Sequence, residues 1–147
     1  MDRIRIANGQ GFWGDSIDAP FDLIKYGNID YLTLDYLAEV TMSIMQRQKK
    51  KNPDAGYATD FVKLIERSVN YLVKNKIKVI ANAGGANPQS CRKEILKIAK
   101  KENLNLKVAI VSGDDIYNAL DDLSMKGQNF DNLYNNNKFE DIKDTIY

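Results

Sequence analysis

Four short apolar runs recur along this chain, and each opens into a turn rich in Gly, Asn or Asp. The runs are Ile4–Ala7, Ile29–Leu34, Ile77–Ala81 and Leu106–Val111. β-Branched and aromatic residues dominate them, so each reads as a strand. The stretches between them carry a helical period instead. Phe61, Ile65, Val69 and Leu72 share one face, and Cys91, Ile95, Ile98 and Ala99 share another. Weaker stripes run through Leu37, Val40, Ile44 and Met45 and through Ile116, Ala119, Leu120 and Leu123. A first helix is expected over 18–26, with Pro20 early in it and Gly27 as its stop. Asp35 to Lys76 leaves room for two helices around Asn52–Tyr57, the first ending in the basic stretch Gln46–Lys51.

Strands alternating with helices predict an α/β fold with a parallel sheet and right-handed crossovers. About four strands with flanking helices are expected, as an open three-layer sheet, because four strands cannot close a barrel alone. Half of a (β/α)8-like barrel is the alternative. Residues 1–123 are expected to form one α/β domain. Beyond it, Asn129, Asn132 and Asn135–Asn137 leave little to bury, so 124–147 reads as a polar tail or an extra element.

Composition removes several classes of function. The chain has 147 residues and a net charge of +1, which leaves no electrostatic footprint for nucleic acid and no attraction to anionic membranes. It has no histidine, so Ser-His-Asp and Cys-His catalysis, His-ligated metals and a histidine pH switch are excluded within it. One cysteine excludes an internal disulfide framework, and Cys91 falls on a core stripe. No apolar run approaches the ~20 residues of a membrane span, and no signal-peptide core follows Met1, so a cytoplasmic location is expected.

Polar residues gather where the predicted strands end. The first leads into Asn8, Gly9, Gln10, Gly11, Phe12, Trp13, Gly14 and Asp15; the second into Asp35 and Glu39; the third into Asn82, Gly84, Gly85 and Asn87; the fourth into Gly113, Asp114 and Asp115. In a parallel α/β fold these turns share one rim, where ligands bind. The opposite turns are plainer. Without histidine, acid–base work falls to carboxylates, with Asp35, Glu39 and Asp114 as candidates. The same acids could hold Mg²⁺, Mn²⁺ or Ca²⁺ through oxygen. Asp35 and Glu39 face one side if a helix starts at Asp35. Gly84 and Gly85 permit close backbone approach, and Asn87 and Pro88 suit a helix start, so this turn is the better anion cradle. Asn8, Gly9, Gly11, Trp13, Asp15, Asn82 and Gly113 complete the candidate ligand-binding set. Ordinary capping and tight turns would account for many of these residues too. Gly9, Gly11 and Gly14 spell a dinucleotide fingerprint, yet two bulky rings, Asp15 and a late helix start argue against a phosphate there.

Five motifs in order, Asn8–Asp15, Asp35–Met42, Ala55–Phe61, Asn82–Pro88 and Gly113–Asp115, resemble the acyclic terpene utilisation (AtuA-like) family. The resemblance spans about Arg3 to Asp115, with looser similarity over 129–141. It implies a catabolic role and a ligand of carboxylate or acyl-CoA type, a small anionic molecule, with lyase or hydratase chemistry as one expectation. It brings no established catalytic residue, and cofactor and metal stay open. Family members extend past this C-terminus, so a truncated homologue, a split subunit or an excised domain is expected. Two further readings stand beside the enzyme: a non-catalytic module completed by a partner chain or a second copy, and a nucleotide-binding domain.

Overall fold

A computed structural model describes residues 3–143. The chain divides into two compact units at Val111 and Ser112. The first is α/β, in the order β1 (Ile6–Gln10), α1 (Asp18–Tyr26), β2 (Tyr31–Leu34), α2 (Glu39–Lys51), α3 (Thr59–Asn75), β3 (Lys78–Ala81) and α4 (Pro88–Lys101). The second holds a single 3-10 turn, Tyr117–Ala119, and the short helices α5 (Leu120–Met125) and α6 (Phe139–Ile142). Within it Phe139 is buried, its ring tilted against that of Phe130 with centres 5.4 Å apart.

The open parallel sheet expected from the sequence is present, with three strands in the order β1-β2-β3. Ile6, Tyr31 and Lys78 stand in one row, and Asn8, Thr33 and Ile80 in another. The register slips between Asn8 and Gln10, so Gln10 rather than Gly9 pairs with Leu34. This bulge turns the Gln10 side chain inward, where it is 2% exposed.

Residues 106–111 differ from expectation and form no strand. Leu106 and Val108 still pack partly against the core. The Arg92 Nε–H donates to the Val108 carbonyl at 2.9 Å, so a side chain takes an acceptor that a ladder would use. Val111 is almost fully exposed and gives the run no anchor at its end.

Layering differs as well. Leu32, Leu34, Val79 and Ala81 share one core with α1, α3 and α4. In α3, Phe61, Leu64, Ile65, Val69 and Leu72 are buried, each worth about 1.5–3 kcal/mol of transfer free energy. Cys91, Ile95, Ile98 and Ala99 of α4 are buried as their period predicts. α1 packs on β1, β2 and α3, and α3 packs on α4. The opposite face of the sheet carries exposed Ile6, Asn8, Lys78 and Ile80. Among the described residues of the first unit, two layers are therefore present rather than three.

The α2 stripe is also thinner than its period suggests. Only Met45 is buried; Val40 and Ile44 are exposed, and Leu37 lies ahead of the helix. Likewise Ile116 is exposed, and neither the 3-10 turn nor α5 buries a residue. These two segments carry the period without a wide apolar partner surface.

Two glycines set close approaches. A Cβ on Gly9 would lie 2.8 Å from Pro20 Cβ and 3.1 Å from Leu32 Cδ1, so α1 sits directly on β1 there. A Cβ on Gly85 would overlap Met45 Sδ and come within 3.1 Å of the Gly56 carbonyl, and Gly85 has φ +50°.

Gly9→Val is expected to lower stability by about 1–3 kcal/mol through overpacking, seen as a lower urea midpoint at unchanged slope; an unchanged midpoint would refute the contact. Burial pushes the Cys91 thiol up to about 11. Native chain at pH 8 should therefore react with a thiol reagent far more slowly than urea-unfolded chain, with equal rates contradicting the buried assignment.

Candidate functional site

Because the three strands are parallel, the turns after β1, β2 and β3 leave the sheet on one side. They are also stitched together. The Asp35 amide donates to the Gln10 carbonyl at 3.0 Å, joining the first two turns. Asn82 joins the second and third: its Nδ2 donates to Asp35 Oδ1 at 2.7 Å, and its Oδ1 accepts from the Tyr36 amide at 2.7 Å. The Leu37 amide also donates to Asp35 Oδ1 at 3.2 Å. One exposed asparagine thus holds an exposed carboxylate and the backbone beside it. The Asn82 amide and the Leu37 N–H together hold the Asp35 carboxyl below the usual carboxylate range. Asn8 stands on the outer face of the sheet beside Thr33, whose Oγ1 lies 3.1 Å from the Asn8 side-chain amide.

Several other candidates are occupied by the fold. Asp15 caps its own turn, accepting from Gly11 N–H at 3.2 Å and Ser16 N–H at 2.7 Å. Trp13 packs partly into the core and donates from Nε1 to Asp60 Oδ1 at 3.0 Å, tying the first turn to the start of α3. Asn87 caps α4 by accepting from Ser90 N–H at 3.2 Å. Its Nδ2 also donates to the Pro53 and Ala55 carbonyls, at 2.7 and 2.8 Å. That pins the loop between α2 and α3 onto the third turn. Gly84 allows the close approach of Pro88, whose Cβ would lie 2.8 Å from an added Cβ.

The helix after β2 starts at Glu39, not Asp35. Asp35 and Glu39 therefore do not share a helix face as the i, i+4 spacing suggested. The reason is local: Thr41 Oγ1 accepts from the Ala38 N–H at 2.6 Å and closes the first turn there, while Asp35 is committed to Asn82. Glu39 is exposed at the start of α2. Gly113 and Asp114 belong to the second unit, where Gly113 has φ +124° and Asp115 Oδ1 accepts from the Tyr117 N–H. Among the described residues, no three His, Cys, Asp or Glu side chains group to hold a metal ion. After Gly11 the chain turns and bends until α1 begins at Asp18, so no helix amino end meets the Gly9–Gly14 glycines. That geometry lacks the phosphate seat of a dinucleotide fingerprint.

Two buried rim residues were not among the candidates. Gln10 donates from Nε2 to the Phe12 carbonyl at 3.0 Å, but its Oε1 has no partner among the described residues. Tyr36 is fully buried, edge-on to Phe61 at 5.8 Å, and its hydroxyl likewise has no partner among the described residues. Burial, with Asp60 and then Cys91 nearby, raises the Tyr36 phenol's pKa and keeps it neutral. Tyr36 continues the inward parity of Leu32 and Leu34, a legible signal; Gln10 is inward only because of the bulge.

Asn82→Ala should raise the Asp35 pKa toward its ordinary value, read by carboxyl NMR titration. In the parent chain, Asp35 contributes stability that is fully present above the unfolded carboxylate pKa. It is lost as pH falls through the depressed folded value. Asn82→Ala should flatten that acid dependence; an unaltered titration would mean the pair is not formed. Asn87→Ala should cost roughly 1–3 kcal/mol, through the lost cap and two orphaned carbonyls, measured by urea unfolding.

Comparison with known proteins adds a family. No helix among the described residues is long and apolar enough to cross a membrane. No curated protein and no solved structure matches the chain. The family model described as acyclic terpene utilisation family protein AtuA matches residues 4–147, a span that includes the stitched rim and all five quoted motifs. The chain belongs to the acyclic terpene utilisation family, AtuA.

Proposed function

We propose that this protein serves the breakdown of acyclic terpenes in the cytoplasm by binding a small carboxylate or its acyl-CoA ester at the strand carboxyl ends. The stitched Gln10–Asp35–Asn82 rim is the observation that carries this reading. The rim has two electrostatic halves. On one, α4 presents its amino end with no acidic residue in its first turn, and Lys49 Nζ donates to the Ala86 carbonyl at 2.8 Å. This half suits a carboxylate or phosphate. On the other half, ionised and exposed Asp35 faces the reacting end of a ligand whose anion is held at the first.

The chemistry that fits is of lyase or hydratase type. Asp35 would orient a water or accept a proton, positioned by Asn82, with Glu39 as the weaker candidate. Gln10 Oε1 and the Tyr36 hydroxyl, buried without partners among the described residues, support a site where hydrogen-bonding capacity is held in reserve.

An acyclic C10 isoprenoid carboxylate and its coenzyme A thioester are the probes. The expected result is saturable binding by calorimetry, weakened at least about tenfold by Lys49→Met. Asp35→Asn should retain binding and lose turnover. Absence of binding, or binding indifferent to both substitutions, would remove this reading.

A second reading, a non-catalytic module completed by a partner chain, is favoured by one observation. Within the first unit, outward Ile6 and Ile80 of the parallel sheet are exposed, whereas parallel sheets are nearly always covered on both faces.

A further inference from the structure

Two buried polar atoms at the inner side of the rim, Gln10 Oε1 and the Tyr36 hydroxyl, have no partner among the described residues. They belong to one neighbourhood. Gln10 pairs with Leu34 across β1 and β2, and Tyr36 lies two residues beyond Leu34 on the same inward parity. The Asp35 N–H donates to the Gln10 carbonyl and ties the two backbones together there. The turn after β1 is joined to both residues. Gln10 Nε2 donates to the Phe12 carbonyl at 3.0 Å, and Trp13 Nε1 to Asp60 Oδ1 at 3.0 Å. Phe61, next to Asp60, meets the Tyr36 ring edge-on. A circuit of contacts therefore runs from Gln10 through Phe12, Trp13, Asp60 and Phe61 to Tyr36.

The two atoms ask for one kind of group. The Phe12 carbonyl needs a donor, which fixes the Gln10 amide with its oxygen left to accept. The Tyr36 phenol, kept protonated by burial, can donate. A carboxylate cannot donate to Gln10, and an ammonium cannot accept from Tyr36. A hydroxyl does both. Leaving two such atoms unbonded in the interior is costly, and the cost is relieved when such a group arrives.

We infer that Gln10 and Tyr36 form a subsite for a hydroxyl of the ligand, covered by the Phe12–Trp13 turn, and so select a hydroxylated isoprenoid carboxylate over its unhydroxylated counterpart. The inference rests on the rim reading and deepens it: one side of a hydratase or lyase reaction carries a hydroxyl. Because both atoms are buried, entry needs the turn to swing aside and release the side-chain hydrogen bonds that hold it. Trp13 is the chain's one tryptophan, so its fluorescence reports that movement.

The test compares an acyclic C10 isoprenoid carboxylate with its β-hydroxy derivative on the full chain, by calorimetry and Trp13 fluorescence. The hydroxy acid should bind at least about tenfold more tightly and change the Trp13 emission. Tyr36→Phe should bring the hydroxy acid down to the affinity of the unhydroxylated one, and Gln10→Met should do the same. Removing a phenol oxygen that has no partner should leave the urea midpoint of Tyr36→Phe equal or higher, which also verifies the fold. Equal binding of the two acids by the parent chain overturns the inference while the rim reading stands. A preference that survives both substitutions, or a silent Trp13, does likewise. A lower midpoint for Tyr36→Phe also overturns it, by identifying a resident water as the hydroxyl already bound. Binding of neither acid removes the rim reading and this inference with it.

Discussion

One-sided burial of a short parallel sheet governs this structure. β2 lies between β1 and β3, and only the inward rows of the three strands meet the helical layer. Everything of chemical interest follows from that placement. Parallel pairing sends three turns out of one end of the sheet, and the close seat of Pro20 on Gly9 fixes α1 beneath the first of them. The same constraint leaves the outward rows without a partner in the described fold. A rim and a face are thus two consequences of one arrangement, and they point to different kinds of binding.

The rim owes its order to side chains that bridge turns, not to the glycines that first draw the eye. Asn82 joins Asp35 and Tyr36, and Asn87 joins the third turn to the loop before α3. Gly85 is explained by the space Met45 needs, and Asp15 by the turn it caps. What the fold leaves exposed at the rim is Asp35, while Gln10 Oε1 and the Tyr36 hydroxyl are buried without a hydrogen-bond partner among the described residues. In the proposed reading, separating a cationic half from an anionic half lets the rim take a carboxylate, which Asp35 alone would repel.

Much of this was legible in the sequence where local signals agree. The first helix begins at Asp18 and ends before Gly27 as its proline and glycine predict, and Asn87 caps α4 as its type and position predict. The buried stripes of α3 and α4 follow their period. Failures occur where a tertiary choice overrides the pattern. The run at 106–111 is apolar enough for a strand, but Arg92 takes a carbonyl there and Val111 has nothing to cover it. Asp35 and Glu39 have helical spacing, but Asn82 captures the first and Thr41 starts the helix at the second. Gln10 was invisible because a single-residue bulge reverses which face it joins. Membership of the acyclic terpene utilisation family agrees with the motif order, while the chemistry of the rim has to be argued from its own residues.

Amide-resolved NMR mapping with the C10 isoprenoid carboxylate on the full chain bears most directly on the central claim. Binding at the rim predicts the largest shifts at Gly11, Asp35, Tyr36 and the Asn82–Asn87 turn, with β1 and β3 outward rows unmoved. Shifts confined elsewhere, or none at saturating ligand, would contradict it.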